Sequence, residues 1–324
     1  MRPSFIHSPV NGLFEDPVVY VQFLYEKRAI LFDAGDIDSL TPRQINKLTD
    51  VFITHTHIDH FIGFDKLLRV LLRRPEPVNI YGPEGITRAV KGKLSGYTWN
   101  LVEEYPLVIF VKELVGECLK TTKFSAKQKF SEIPVDIREI DNNMLLQDPL
   151  FSVTFAKVNH GIPVLAFAVK EPFHINVDKE RLKAKGLPVG PWLSRFKTMI
   201  RQGRDDEPVE VDGRTYLLSE LMDIVRLTEG QKVSYVVDMA PTEKNINTVI
   251  ELVKGSHTLY IEAYFLKEDA DRALQRNHLT ADIAGYIARQ AGVKEVRPLH
   301  LSPKYRDCPE RVISEVMLSF RAAD

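Results

Sequence analysis

With 324 residues, a net charge of −1 and 44% hydrophobic residues, the chain reads as a soluble globular protein with a large core. No apolar run approaches the roughly 20 residues of a membrane span, and residues 1–7 hold no apolar segment of a secretory signal, so the expected compartment is the cytoplasm. Cys118 and Cys308 lie far apart and make no metal-like spacing, which excludes a cysteine-built zinc site or a disulfide scaffold.

In chain order, residues 18–24 are rich in β-branched and aromatic side chains and predict a buried strand. A polar turn at 26–28 leads to a returning strand at 29–32, which ends in Asp33. Thr41 before Pro42 predicts a short helix over 41–47, with Thr41 as its N-cap. The apolar run Val51-Phe52-Ile53 then feeds Thr54-His55-Thr56-His57-Ile58-Asp59-His60. Three imidazoles and a carboxylate so closely spaced form a ligand set that suits zinc. On extended backbone His55 and His57 share one face, because side chains alternate. A turn after them brings Asp59 and His60 round from the other side, towards a second metal. Asp33, at the tip of the preceding strand, is placed to orient a ligand imidazole.

Residues 65–74 predict a mostly buried helix, with Arg69, Arg73 and Arg74 on a solvated face. A strand at 77–81 stops at Gly82-Pro83, and 84–93 predicts a further helix. Residues 94–147 are less informative, with a strand-like 107–111 and lysines at 120, 123, 127 and 129. Alternating apolar residues over 151–159 predict a strand that ends in His160, and Gly161-Ile162-Pro163 turns the chain into another at 164–169. The same geometry recurs where 234–237 ends in Asp238 and where 296–299 ends in His300. Strand-end loops are where a scaffold fixes metal and substrate sites. His7, His174 and His257 have no evident partner and read as surface residues.

Leu31-Phe32-Asp33, the His55-x-His57-x-Asp59-His60 run, His160, Asp238 and His300 together resemble the five ordered motifs of the metallo-β-lactamase superfamily. The resemblance implies an α/β fold of four layers, αββα, in which two mixed sheets flanked by helices carry metals at one edge. It implies two Zn2+ ions, with Mn2+ or Fe2+ as alternatives. His55, His57 and His160 would hold one, Asp59, His60 and His300 the other, and Asp238 would bridge them. Within the superfamily the second half is similar to ribonuclease Z, the endonuclease that trims transfer RNA precursors. The residues that carry this are His160 to Phe167, Gly186-Leu187-Pro188-Val189-Gly190-Pro191, Ile261 to Leu266, His278-Leu279-Thr280 and His300 to Tyr305. That likeness implies a single domain, 1–324, with 171–215 as an inserted RNA-holding arm, and a homodimer in which one subunit's arm reaches RNA bound by its partner.

Composition bears on the arm directly. Residues 171–204 carry eight Lys/Arg against three Asp/Glu, interleaved with Phe173, Trp192 and Phe196, a pattern that suits a phosphate backbone. Lys183, Lys185, Gly190, Pro191, Arg195 and Lys197 are the candidate RNA contacts. Other residues depart from the ribonuclease pattern. Residues 8–14 do not match its glycine-rich turn and basic loop, Val237-Asp238-Met239 stands where Gly-Asp-Thr is expected, and Leu279 replaces a serine. The chemistry expected of the ligand set is phosphodiester hydrolysis by a metal-bridged hydroxide, oriented by Asp59 as proton acceptor. His278 would protonate the leaving 3′ oxygen, with Glu262 fixing its ring. The alternative is a small-molecule hydrolase on the same scaffold, acting on a thioester, lactone or cyclic nucleotide. A non-catalytic interaction protein is disfavoured by the full ligand set.

Overall fold

The computed structural model describes residues 4–322 other than 25, 205 and 206. The first sheet holds, in spatial order, β1 (Phe5–Pro9), β2 (Val19–Phe23), β3 (Ala29–Phe32), β4 (Leu48–Phe52), β5 (Val78–Pro83), β6 (Val108–Val115), β7 (Cys118–Ser125) and β8 (Ile133–Glu139). Pairing is parallel from β3 to β6 and antiparallel on both flanks. Parallel neighbours need crossovers, supplied by α1 (Pro42–Ile45), α2 (Ile58–Phe61) with α3 (Phe64–Leu71), and α4 (Ile86–Ser95). Thr41 caps α1 through a capping box with Gln44, as its position before Pro42 predicts. Residues 94–147, opaque in sequence, supply β6, β7, β8 and the edge strand of the second sheet.

That second sheet contains β9 (Met144–Gln147), β10 (Ser152–Asn159) and β11 (Pro163–Lys170). The chain then makes an excursion built from β12 (Phe173–Val177), α5 (Lys179–Ala184), α6 (Trp192–Arg201), β13 (Pro208–Val211), β14 (Arg214–Leu217), α7 (Leu218–Leu221) and β15 (Val225–Glu229). It returns through β16 (Lys232–Val236), α8 (Glu243–Val253), β17 (Thr258–Glu262), α9 (Ala270–Arg276), α10 (Ala281–Gln290), β18 (Glu295–Leu299) and α11 (Pro309–Arg321). The sheet order is β18-β17-β16-β11-β10-β9.

Burial on both faces explains why β3 reads Ala-Ile-Leu-Phe with no polar alternation. Ala29 and Leu31 point outward into a core shared with Phe64, Leu67, Leu68 and Leu71 of α3. Ile30 and Phe32 point inward, where Phe32 stacks on Phe167 and Tyr235 of the opposite sheet at centroid distances of 5.8 and 5.6 Å. A third core, under α8, α10 and α11, covers the outer face of the second sheet. Three apolar layers between four layers of structure make the αββα sandwich.

Two expectations change. The helix expected over 65–74 stops at Leu71, and Arg74 is buried rather than solvated, because its guanidinium donates to the carbonyls of Leu48 and Pro77. The excursion is not a basic arm when taken as a folded unit. It has its own core, including Ile175, Phe196, Met199, Val209, Leu218 and Ile224, and residues 173–229 hold ten Lys/Arg and ten Asp/Glu. A window ending at residue 204 counts only the outgoing half, and the returning half is acidic.

Candidate metal centre

The candidate ligands converge at one edge of the sandwich, where β3, β4, β10, β16 and β18 end. His55, His57 and Asp238 offer ligand atoms that lie within 4.8 Å of one another, as do Asp59, His60 and His300. Asp238 Oδ2 stands between the two groups, 3.3 Å from His55 Nε2, 3.2 Å from His60 Nε2 and 3.7 Å from His160 Nε2. Asp59 Oδ2 lies 3.4 Å from His60 Nε2 and 3.5 Å from His300 Nε2. Donors bound about 2.0–2.1 Å from a shared tetrahedral ion sit roughly 3.3 Å apart, so these spacings fit coordination better than hydrogen bonding. His55 Nε2 and His60 Nε2 are buried with no hydrogen-bond partner among the described residues, and the equally buried Asp238 Oδ1 and His300 Nδ1 face each other as an ion pair at 2.9 Å. Orphaned polar atoms such as the two imidazole nitrogens are costly unless something satisfies them, and their convergence on Asp238 fits metal ions.

Backbone shape sets the aim of these side chains. Asp33, Asp238 and His300, each at the end of a strand, adopt left-handed φ values of 57°, 52° and 54°. Such conformations cost energy in non-glycine residues and cluster at functional sites. After β4 the chain turns through His57 into the short α2, which carries Asp59 and His60 round as the sequence predicts. Gly35 and Gly63 make that turn fit. A Cβ on Gly35 would stand 2.0 Å from Asp59 O, and one on Gly63 would stand 2.1 Å from Gly35 O.

Hydrogen bonds choose which ring nitrogen is free. His60 Nδ1 lies 2.8 Å from Asp33 Oδ2 and must donate to it, which leaves Nε2 to face Asp238 and the candidate metal site. His160 Nδ1 donates to Asn277 O at 2.7 Å, with the same result. His55 Nδ1 meets Thr54 Oγ1 at 3.0 Å, and that hydroxyl in turn donates a hydrogen bond to Asp33. Asp33 also accepts from Thr54 N at 2.7 Å, and Tyr235 OH lies 2.9 Å from it. Thr54, Tyr235 and Asn277 escape sequence reading, because they act through contacts that only the fold brings together.

Charge in the cluster is mutually dependent. Burial alone would raise Asp238 and Asp59, but His300 and His60 outweigh it and hold both below the ordinary carboxylate range. Burial lowers His55 and His57, which favours the neutral rings that ligate. Burial opposes charge on His300 too, yet Asp238 and Asp59 raise it to about 10. Without other cations, protons on His60 and His300 balance the carboxylates, and metal ions supply the same balance.

Beside the cluster, His278 Nδ1 lies 2.8 Å from Glu262 Oε2, and Tyr264 stacks on the ring at 4.0 Å. Glu262 could join a third ligand group with Asp238, His278 and His300. However, it is fully buried, and its Oε1 already accepts from Met239 N at 2.9 Å and Leu279 N at 3.3 Å. It is better suited to fixing His278 than to binding metal. Thr280 is the N-cap of α10, which leaves His278 just ahead of the helix.

The arm residues are not brought to the candidate metal site as one group. Lys183 and Arg195 are exposed with no ion pair among the described residues. Lys185 is tied to Glu220 O and Asp223, while burial followed by Arg201 lowers Lys197. Gly190 and Pro191 form the entry to α6. The three histidines without evident partners are not free surface residues. His174 is buried against Ser4 and Glu171, His7 meets Tyr260 OH at 2.9 Å, and His257 accepts from Lys232 N. No helix among the described residues is long and apolar enough to cross a membrane.

No family model matches the chain. Among curated proteins, it is 29% identical to ribonuclease Z of Deinococcus radiodurans over 286 residues, spanning 87% of this chain and 85% of that one. Among solved structures, it is similar to the metallo-β-lactamase fold protein YhfI of Bacillus subtilis, with a TM-score of 0.57 at 15% identity, covering 98% and 93% of the two chains. It is also similar to the short form of human tRNase Z, with a TM-score of 0.54 at 18% identity and coverage of 92% and 90%. At those identities the structural likeness speaks to the fold alone.

Proposed function

From a chain of the metallo-β-lactamase fold in its ribonuclease Z-like branch, we propose a binuclear zinc-dependent phosphodiesterase that cuts RNA endonucleolytically, with transfer RNA 3′ trailers as the substrate class. The observation that carries this is Asp238 Oδ2, placed 3.3 Å from His55 Nε2 and 3.2 Å from His60 Nε2, where one carboxylate serves two half-sites. His55, His57 and His160 would hold one ion, Asp59, His60 and His300 the other, with Asp238 between them. When bound, two such ions lower the pKa of a shared water and clamp the oxygens of an in-line displacement.

The chain's own groups supply the rest. Asp59 is the more exposed of the two cluster carboxylates, at 34% of its side chain against 3% for Asp238. It orients the attacking water and takes its proton. As the water oxygen bonds to phosphorus, the bond to the 3′ oxygen breaks. Protonated His278, held through Nδ1 by Glu262, gives its Nε2 proton to that oxygen. The products are a 5′-phosphate and a 3′-hydroxyl. The proposal includes a homodimer in which one subunit's arm, through Lys183 and Arg195 foremost, reaches RNA held by its partner.

The balanced charge of the excursion favours a second reading, hydrolysis of a small thioester, lactone or cyclic nucleotide. One experiment separates the two. The zinc-loaded protein, with about two equivalents by elemental analysis, is given a transfer RNA precursor bearing a 3′ trailer. Endonucleolytic cleavage that leaves a 3′-hydroxyl, and that is lost in His57→Ala, supports the nuclease. An intact precursor alongside turnover of a thioester or lactone supports the second reading.

A further inference from the structure

On the side of His278 turned towards α9 lies a half-open cleft of about 240 Å3, lined by Tyr264, Phe265, Arg272, Arg276, His278 and Ser302. Arg272 and Arg276 are four residues apart on α9, so they project from the same face, where like charges repel. Both are exposed, and neither has an ion pair among the described residues. Asp269 is engaged by Lys304 and Tyr305, and Asp282 by Lys267 and Thr280. Ser302 is buried and its Oγ accepts from Lys304 N, which leaves the hydroxyl proton free to donate. The lining is thus two guanidinia without an ion pair among the described residues, of which Arg272 lies 5.9 Å over the Phe265 ring, with a hydroxyl, an imidazole, a second aromatic ring and no carboxylate.

An isolated pair of surface arginines would need no ligand. These two share a cleft with the side chain proposed to protonate the leaving oxygen. The cleft has room for roughly eight waters at ~30 Å3 each, enough for a sugar and its phosphate and too little for a duplex. If the 3′ oxygen leaves at His278, its ribose lies on the His278 side of the metals, and the next group along the strand is that nucleotide's 5′-phosphate.

We propose that this cleft is a phosphate subsite, in which Arg272 and Arg276 hold the 5′-phosphate of the nucleotide whose 3′ oxygen departs, and Ser302 Oγ donates a further hydrogen bond. Guanidinium forks match a phosphate's planar pairs of acceptor oxygens, which favours this ligand over a carboxylate-free sugar or base. The assignment rests on the nuclease reading for the strand direction. The recognition of a nucleotide phosphate rests on the cleft itself.

The test therefore has a binding arm and a cleavage arm. Adenosine 5′-monophosphate and adenosine are titrated into the metal-loaded protein by calorimetry. The monophosphate is expected to bind at least tenfold more tightly, and Arg272→Ala and Arg276→Ala should each remove about tenfold of that preference, with Arg276→Lys restoring part. A preference that is unchanged in both alanine variants would place the phosphate elsewhere, on the metals for example, and would overturn the subsite. In the cleavage arm, a dinucleotide with a 5′-phosphate is compared with one lacking it. The parent should favour the phosphorylated substrate, chiefly through KM, and the ratio should fall towards one in the arginine variants. Cleavage with no such preference in the parent sinks the subsite and spares the nuclease. Arginine-dependent binding of the monophosphate by a protein that cleaves neither dinucleotide sinks the nuclease and spares the subsite.

Discussion

His60 Nδ1 and Asp33 Oδ2 are 2.8 Å apart, and neither side chain is exposed to solvent. Asp33 also takes the Thr54 amide and hydroxyl, with Tyr235 OH beside it, so four donor groups surround one carboxylate. It fixes His60 directly and His55 through Thr54. Asp33→Asn keeps the shape and tolerates the left-handed backbone, but it presents an amide where an acceptor is needed. Metal affinity should fall about 10- to 100-fold, the usual cost of losing a partner behind a ligand, measured by competition with a chelator. Unchanged affinity would reduce Asp33 to a piece of the fold.

Gly35 illustrates a second constraint on the same loop. An added methyl would stand 2.0 Å from Asp59 O and 2.6 Å from Asp16 Cβ, and the first of these is backbone that cannot swing away. Gly35→Ala should therefore displace the α2 turn. The expected cost is about 1–3 kcal/mol in urea unfolding, with a drop in metal content at equal metal concentration. A Gly35→Ala protein with parental metal content would show that the turn has slack the packing does not suggest.

The candidate ligands stand out in the sequence because strand ends concentrate them, and the strands show either as continuous apolar runs, as in β3, or by alternation, as in β10. The second layer does not stand out. Thr54 sits inside the motif yet acts through its hydroxyl, and Tyr235 looks like one more apolar strand residue until Asp33 is found across the sandwich. β8 was unreadable for another reason: it is an edge strand with Val135 and Ile137 exposed, so burial leaves no alternation to read. The charge of the excursion misled because strand pairing decides where a unit ends. β12 pairs with β15, which brings the acidic residues of 207–229 into the same body as the basic residues before them.

His7 gives a pH-dependent prediction away from the metals. Burial, followed by the Arg297 charge, lowers it from 6.5 to about 4, while Glu295 opposes the shift. The unfolded chain therefore takes up this proton before the folded one does. Stability is highest above the unfolded value and is lost as pH falls from about 6.5 towards 4. After allowing for solvent at this half-buried site, the loss should be about 1–2 kcal/mol. His7→Gln should flatten that part of the stability profile, read from urea midpoints at matched pH values. An equally steep profile in the variant would assign the acid sensitivity to other groups.

The excursion offers the sharpest separation of binding from chemistry, and its structure dictates where to cut. Glu171 N bonds Gln231 O at 2.8 Å, so the two ends of the excursion are already adjacent. Removing only 178–201 would tear open a core that includes Phe196, Met199 and Leu221. Replacing 173–229 with a bridge of about three glycines is within the range of hairpin loops and removes that core whole. It also takes away His174 and Arg201, which pair with the buried Glu171, so the variant should carry Glu171→Gln to avoid stranding a charge. Such a protein should retain its metals and hydrolyse a small chromogenic phosphodiester at a rate near the parent's. Its cleavage of a structured precursor RNA should drop at least tenfold, because contacts from exposed cations such as Lys183 and Arg195 vanish together. The parent's RNA affinity should fall with salt by roughly one power of the salt concentration for each phosphate neutralised. Equal RNA cleavage with and without the excursion would mean that Lys183 and Arg195 are solvated surface charges, and that RNA is held by the body of the sandwich alone.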